Sequence, residues 1–430
     1  MDADGHWAQG SAAAAAAFWR RSPAFTPSTV RIQYSGSARA PLRDAELAPE
    51  KAGPDSASGG SPALADAECG DADTPETPGS RASGADAGAD AGADAGGDPV
   101  LQKFHAALSV ASIDLAQLQR LSWKGIPRQF RGTAWRLLMG YLPLNASRRD
   151  PTLQRKRREY DDWVSQTFAR GEESLDRALW HQIRIDVPRT MPGSPIFQAP
   201  RVQRGLERVL YCWAARHPAS GFVQGINDLL TPFFYVFMEP HLPATLGGAE
   251  QAAAAIDALD GAVVAAVEAD SFWCLTKLLD GIQDNYTHAQ PGIQRQIVKM
   301  KELVARIDGG LAAHLDAEGV EYIQFAFRWM NCLLMREVNL ESTVRMWDTY
   351  FAEPDGFSSF HIYVCAAFLL KWSKELAQLD FQQILFFLQQ PPTASWSAKD
   401  VELLLSEAYM YKCLYHDSPS HYASSAPGKR

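Results

Sequence analysis

The stretch Ile293-Gln294-Arg295-Gln296-Ile297-Val298-Lys299-Met300-Lys301-Glu302-Leu303-Val304-Ala305-Arg306-Ile307 places apolar side chains at Ile293, Ile297, Met300, Val304 and Ile307. Counted from Ile293 the offsets are 4, 7, 11 and 14. That is one face of an α-helix and not the alternation of a strand. The pattern recurs on both sides. Val202, Leu206, Val209, Leu210 and Trp213 share a face, as do Val264, Val267, Leu275, Leu278 and Leu279, and later Val401, Leu404, Leu405 and Ala408. Convincing alternation is absent. The spacing predicts an all-α, multi-helix protein in two packed lobes. Leu242–Ala262, rich in Gly and Ala, reads as a connection or insertion, and His416–Arg430 as a fraying polar tail.

Before residue 100 the composition is different. In residues 1–99, Ala, Gly, Ser and Pro fill 58 positions, and Ile, Leu, Val and Phe only 7. Such a segment cannot bury enough apolar surface to offset backbone entropy. Ala85–Gly96 repeats Ala-Asp-Ala-Gly three times. The composition predicts a disordered, acidic, low-complexity tail over 1–99. Within it Phe18-Trp19-Arg20-Arg21 reads either as a short docking motif or as an incidental cluster.

The charge is divided in the same way. The chain carries −9 overall, with 7 basic and 15 acidic side chains in residues 1–99 and 34 basic and 35 acidic in the rest. A nearly neutral folded part argues against a nucleic-acid binder that relies on a general basic surface, though it leaves room for a local charged patch. At 430 residues the chain exceeds the roughly 250–300 at which a single core stops growing.

The six cysteines, Cys69, Cys212, Cys274, Cys332, Cys365 and Cys413, include no C-x-x-C or zinc-knuckle spacing. Most lie in apolar helical runs, where a free thiol packs as a small hydrophobe. This predicts a reducing compartment without a disulfide framework. The Ala12–Ala17 run is too short and too weakly apolar for a signal peptide. No run reaches about 18 uninterrupted apolar residues, and the longest candidate, around Leu229–Met238, is broken by Thr231 and Pro232. A soluble cytoplasmic protein is expected.

Enzyme signatures are missing. There is no phosphate loop, H-E-x-x-H, G-x-S-x-G or kinase set. The histidines are scattered, and His217 and His361 read as polar core or surface residues. Two polar stretches stand out. In Ile183-Arg184-Ile185-Asp186-Val187-Pro188-Arg189, Pro188 biases Val187 away from helix, so a helix should end there and present Arg189 on a loop. In Ser220-Gly221-Phe222-Val223-Gln224-Gly225-Ile226-Asn227-Asp228, glycines place Gln224 at a loop or helix start. Taken alone, an Arg near an Asp reads first as a solvated or paired surface group, and such a Gln as a cap or a hydrogen bond to backbone. Bare chemistry does not couple the two stretches.

Taken together, ordered motifs resemble the TBC domain family of Rab GTPase-activating proteins. They are Lys124-Gly125-Ile126-Pro127 with Arg131, Trp135, Leu138 and Gly140-Tyr141; Ile183, Asp186 and Arg189 as I-x-x-D-x-x-R; Phe222-Val223-Gln224-Gly225 where Y-x-Q-G is usual; Glu268-Ala269-Asp270 with Phe272-Trp273; and Arg328-Trp329, Leu333-Leu334-Met335-Arg336-Glu337 and Arg345-Met346-Trp347-Asp348. The resemblance covers Lys124–Lys371, and weaker similarity runs to about Tyr422. Trp213–Gly221, Asp280–Tyr286 and Phe325–Trp329 are similar to one branch of the family. The implied organisation is the tail over 1–99, a leading helical segment over 100–123, the TBC domain over 124–371, a packed helical extension over 372–422 and a flexible tail over 423–430.

The resemblance implies acceleration of GTP hydrolysis on a Rab-family small GTPase, with no complete active site in this chain and no cofactor of its own, GTP and Mg being carried by the GTPase. It implies two catalytic groups supplied in trans. Arg189 would neutralise charge on the phosphates through its donor fork. Gln224 would position the attacking water. Asp186 would orient the Arg189 turn. Arg131, Trp135, Phe222, Gly225 and Asn227 would support the site, with Arg131 and Trp135 bracing the opening helix or Arg131 touching the Arg189 loop. Phe272, Trp273, Trp329 and Trp347 read as core, and Arg336-Glu337 and Arg345 with Asp348 as ion pairs. Phe222 departs from the usual Tyr by a lost hydroxyl, which puts turnover in question. Peripheral association with Golgi or endosomal membranes through the Rab, and a role in vesicle trafficking, follow by the same analogy. The competing function is a non-catalytic Rab-binding or trafficking adaptor.

Overall fold

Asp98 accepts a hydrogen bond from the Val100 N–H at 2.9 Å, and Pro99 takes the first helical position, where its missing N–H is no loss. Similar side-chain caps at Asp114, Asn145, Asp176, Asp260, Asp308, Asn339 and Asp380 start later helices. The computed structural model describes residues 98–243 and 246–416. The expected tails over 1–99 and 423–430 therefore lie outside the described residues, apart from Asp98 and Pro99; so do Phe18–Arg21 and Cys69.

Eighteen α-helices are present among the described residues. The first nine are α1 (Pro99–Leu108), α2 (Leu115–Ser122), α3 (Arg128–Leu138), α4 (Ala146–Phe168), α5 (Arg177–Asp186), α6 (Pro195–Gln198), α7 (Pro200–Arg216), α8 (Ile226–Met238) and α9 (Ala249–Asp257). The second nine are α10 (Gly261–Gly281), α11 (Pro291–Ile307), α12 (Gly309–Ala317), α13 (Ile323–Asn331), α14 (Leu340–Ala352), α15 (His361–Leu370), α16 (Ser373–Leu376), α17 (Phe381–Gln389) and α18 (Ala398–Tyr415). The fold is all-α. Among the described residues the β pairing is a single bridge, Ser112 to Asn145.

Two groups of helices share one continuous apolar core. In the first, α10 packs on α4, α7 and α8. In the second, α11 packs on α13 and α15, and α15 on α18. The join is aromatic: Trp135 of α3 lies against Phe233 of α8 and against Trp347 and Phe351 of α14, with ring centroids 4.9–6.0 Å apart. Trp329, Trp347 and Phe272 are buried, while Trp273 is half-buried and donates from its indole to Lys156 O at 2.8 Å.

Helix α8 is the central rod. Every residue from Ile226 to Met238 except Tyr235 is buried. Pro232 lies inside it and cannot donate to the Asp228 carbonyl one turn earlier. Thr231 Oγ1 donates to that carbonyl at 2.8 Å and keeps it satisfied. The residues that break the apolar run in sequence thus repair each other in the helix.

Leu242–Ala262, read as a connection or insertion, carries α9, which buries Ala252 and Ile256. One local expectation is corrected. Val187 is not pushed out of the helical region by Pro188: it sits at φ −58°, ψ −49°, fully buried. Burial of that side chain outweighs the local preference. The chain tightens into a 3₁₀ turn over Val187–Arg189, closed by Thr190 N–H donating to Val187 O at 3.0 Å.

Candidate functional site at two adjoining turns

Arg189 ends that 3₁₀ turn, directly after α5, and is half-buried. Its Nη2 donates to the buried Asp186 carboxylate three residues earlier. The Arg189 guanidinium makes no other hydrogen bond among the described residues, so Nε and Nη1 keep donors to offer. Burial pushes the Asp186 carboxyl above the usual range, and the Arg189 charge pulls it back down. The buried carboxylate therefore depends on the Arg189 charge beside it.

The second turn precedes α8. Gln224 is exposed, and Gly225 caps the helix with φ +112°, ψ −26°, a conformation suited to glycine. A Cβ on Gly225 would also lie 2.4 Å from Asn331 Nδ2. The Gln224 side chain makes no hydrogen bond among the described residues, whereas its backbone is anchored: Asn331 Nδ2 donates to Gln224 O at 2.9 Å. Phe222 is half-buried against the core.

The turns are joined by a short relay. Thr190 Oγ1 donates to Asp186 O at 2.8 Å and accepts from Asn227 Nδ2 at 2.9 Å; Asn227 Oδ1 accepts from Gly225 N–H at 3.0 Å. Each donor and acceptor in the relay is used once and in its own sense. Beside it Arg336 donates to the buried Asp228 from Nε at 3.0 Å and Nη2 at 2.7 Å. Two arginines and two aspartates thus balance in one patch.

Arg131 and Trp135 lie elsewhere. Both serve the fully buried Asp348, which accepts from Trp135 Nε1 at 2.7 Å, Ile126 N–H at 2.9 Å and Arg131 Nε and Nη2 at 3.2 Å. Burial pushes the Asp348 carboxyl up, and Arg131 opposes it. Among the described residues Arg131 makes no hydrogen bond to the Arg189 turn; it braces α3 against α14. The expected ion pairs also differ. Arg336 pairs with Asp228 and Glu337 with Arg328, while Arg345 reaches Glu402 at 3.7 Å and not Asp348. The close ion pairs are made with partners elsewhere in the chain instead of with the neighbours in sequence.

These elements have known counterparts. The model of the Rab-GTPase-TBC domain family matches residues 128–377. The chain belongs to the Rab-GTPase-TBC domain family. This TBC chain is 53% identical over 324 residues to GTPase-activating protein gyp1 of Schizosaccharomyces pombe, covering 75% of this chain and 62% of that protein. It is 52% identical over 323 residues to TBC1 domain family member 22B of Homo sapiens, covering 75% and 63%. The crystal structure of the Ypt/Rab-GAP domain of Gyp1p superposes with a TM-score of 0.69 at 48% identity, covering 74% of this chain and 100% of that one. The TBC chain spans about six-tenths of the length of these curated relatives.

Among the described residues of the TBC chain, no cluster of His, Cys, Asp and Glu could hold a metal ion, and no helix is long and apolar enough to cross a membrane. Sequence reasoning missed Thr190, Asp228, Asn331 and Arg336 as parts of the site. Asp228 and Arg336 stand inside the quoted stretches, and their charge in apolar surroundings was the available signal. Thr190 and Asn331 gave none.

Proposed function

We propose that this chain accelerates GTP hydrolysis by a Rab-family small GTPase, supplying Arg189 and Gln224 in trans. The observation that carries the reading is the relay Asp186–Thr190–Asn227–Gly225, which ties the turn bearing Arg189 to the turn bearing Gln224. Hydrolysis needs charge stabilised on the transferring phosphoryl group and a water held in line. Arg189 has unused guanidinium donors for the first task, and Gln224 an unused amide for the second. Gln224 holds water by hydrogen bonds and not as a base. The family and the relatives named as GTPase-activating proteins support this reading.

GTP and its Mg ion belong to the GTPase, and this chain contributes positioning and charge. Contact with a membrane, on the Golgi or endosomes, runs through the Rab from the cytoplasmic side. Phe222 keeps the ring of the usual Tyr, and its packing against the core supports the turn without a hydroxyl. Single-turnover GTP hydrolysis across a panel of Rabs tests the reading. At least one Rab is stimulated by the wild type and not by Arg189→Ala. A protein that binds Rabs but stimulates none is an adaptor instead.

A further inference from the structure

The peptide unit joining Gln224 to Gly225 is gripped on both edges. Its carbonyl accepts from Asn331 Nδ2 at 2.9 Å, and its N–H donates to Asn227 Oδ1 at 3.0 Å. Both asparagines are buried. They come from distant parts of the chain, Asn227 from the first turn of α8 and Asn331 from the last residue of α13. Neither amide can be turned end over end, because a carbonyl only accepts and a backbone N–H only donates.

The turn itself leaves a choice that this grip decides. Ile226 N–H donates to Val223 O at 3.1 Å, closing four residues with Gln224 and Gly225 at the centre. Gly225 at φ +112°, ψ −26° lies near the third position of a type II turn. A type I turn has the same ends with the central peptide turned over, its third residue at φ about −90° instead of about +80°. Glycine tolerates both. The flipped peptide would point its N–H at the Asn331 amide nitrogen and its carbonyl at Asn227 Oδ1. Two good hydrogen bonds would become two mismatches.

Asn331 is in turn held firmly. Tyr286 Oη donates to its backbone carbonyl at 2.7 Å. Beyond it, Leu333 and Leu334 are both left-handed, at φ 49° and 60°, with Leu334 N–H donating to Trp329 O at 3.0 Å. That helix end is costly for non-glycine residues. It keeps Asn331 on Gln224 and turns the chain so that Arg336 reaches Asp228.

We propose that Asn331 is a positioning residue for Gln224. With Asn227 it locks the Gln224–Gly225 peptide in the one orientation that presents the Gln224 side chain to the GTPase. The functional half of this inference rests on the role proposed above for Gln224; the locked peptide does not.

Asn331→Asp in the full chain tests both halves, since it keeps the shape and replaces the donating nitrogen with an accepting oxygen. The Gly225 amide should exchange with deuterium about ten-fold faster. The kcat of stimulation should fall about ten-fold, with KM for GTP-loaded Rab within about two-fold. If the buried carboxylate prevents folding, Asn331→Ser is read in the same way and should shift both quantities in the same direction. Wild-type Gly225 exchange in the folded variant overturns the proposal. So does a loss of activity that appears only in KM or that tracks the unfolded fraction. Should the wild type stimulate no Rab, faster exchange still upholds the lock while the GTPase-activating role falls, and unchanged exchange removes the lock as well.

Discussion

The side-chain amide of Asn227 donates to the hydroxyl of Thr190 across 2.9 Å, joining two turns that lie 37 residues apart in sequence. Both groups are buried, at 3% and 1% exposure. The hydroxyl in turn donates a hydrogen bond to Asp186 O, so removing it strands a donor and an acceptor together. Thr190→Val should therefore cost about 1–3 kcal/mol of stability, although the shape is kept. Denaturant unfolding of the two proteins measures it, and a change below the error of the midpoint would show that the relay is not strained by its loss.

Arg336 and Asp228 make the second tie. Arg336→Leu leaves a carboxylate buried beside Cys332, which donates to it from Sγ at 3.6 Å. The expected loss is about 3–5 kcal/mol. Adding Asp228→Asn should restore part of that loss, because the stranded charge is then gone. Thermal melts of the single and double variants give the comparison, and equal stability of the two would argue against the pair.

Gly225→Ala meets two obstacles, a left-handed backbone and a Cβ placed 2.4 Å from Asn331 Nδ2. A loss of about 1–3 kcal/mol is expected, with Gln224 displaced. Stimulated hydrolysis should fall further than the folded fraction does. Parallel losses would mean that Gly225 matters only for folding.

His361 sets a pH dependence away from the site. It is fully buried, accepts from Tyr350 Oη at 2.8 Å on Nδ1 and donates from Nε2 to Trp329 O at 3.1 Å. The neutral ring satisfies both partners, and burial pushes its pKa down from 6.5 to about 4. The unfolded chain binds the proton more readily, so this stability is present above about pH 6.5 and is lost as pH falls towards about 4. The loss is about 3 kcal/mol at its full extent. His361→Gln should flatten the slope in that window, and an unchanged slope would place the acid sensitivity elsewhere.

The helices were legible because their apolar faces repeat, and Ile293, Met300 and Val304 are buried in α11 as their spacing requires. The stretch carrying Arg189 was also visible from its residue types. Its conformation was not: Pro188 argued for an extended Val187, and the burial of that side chain in the core prevailed. The ties that assemble the site were invisible for a simpler reason. Asn331 meets Gln224 across 107 positions and Arg336 meets Asp228 across 108, and no local pattern encodes such pairs. Nearest charges in sequence suggested Arg336 with Glu337, and tertiary packing chose otherwise.

The most direct test of the central claim uses a Rab whose own water-positioning Gln is replaced by Ala. If Gln224 works in trans, the wild-type chain still stimulates that Rab in single-turnover hydrolysis, and Gln224→Ala abolishes stimulation of both this Rab and its parent while melting at the wild-type temperature. Full stimulation by Gln224→Ala, or wild-type stimulation that vanishes once the Rab loses its own Gln, would contradict the account and leave Arg189 to work with the GTPase's own residue.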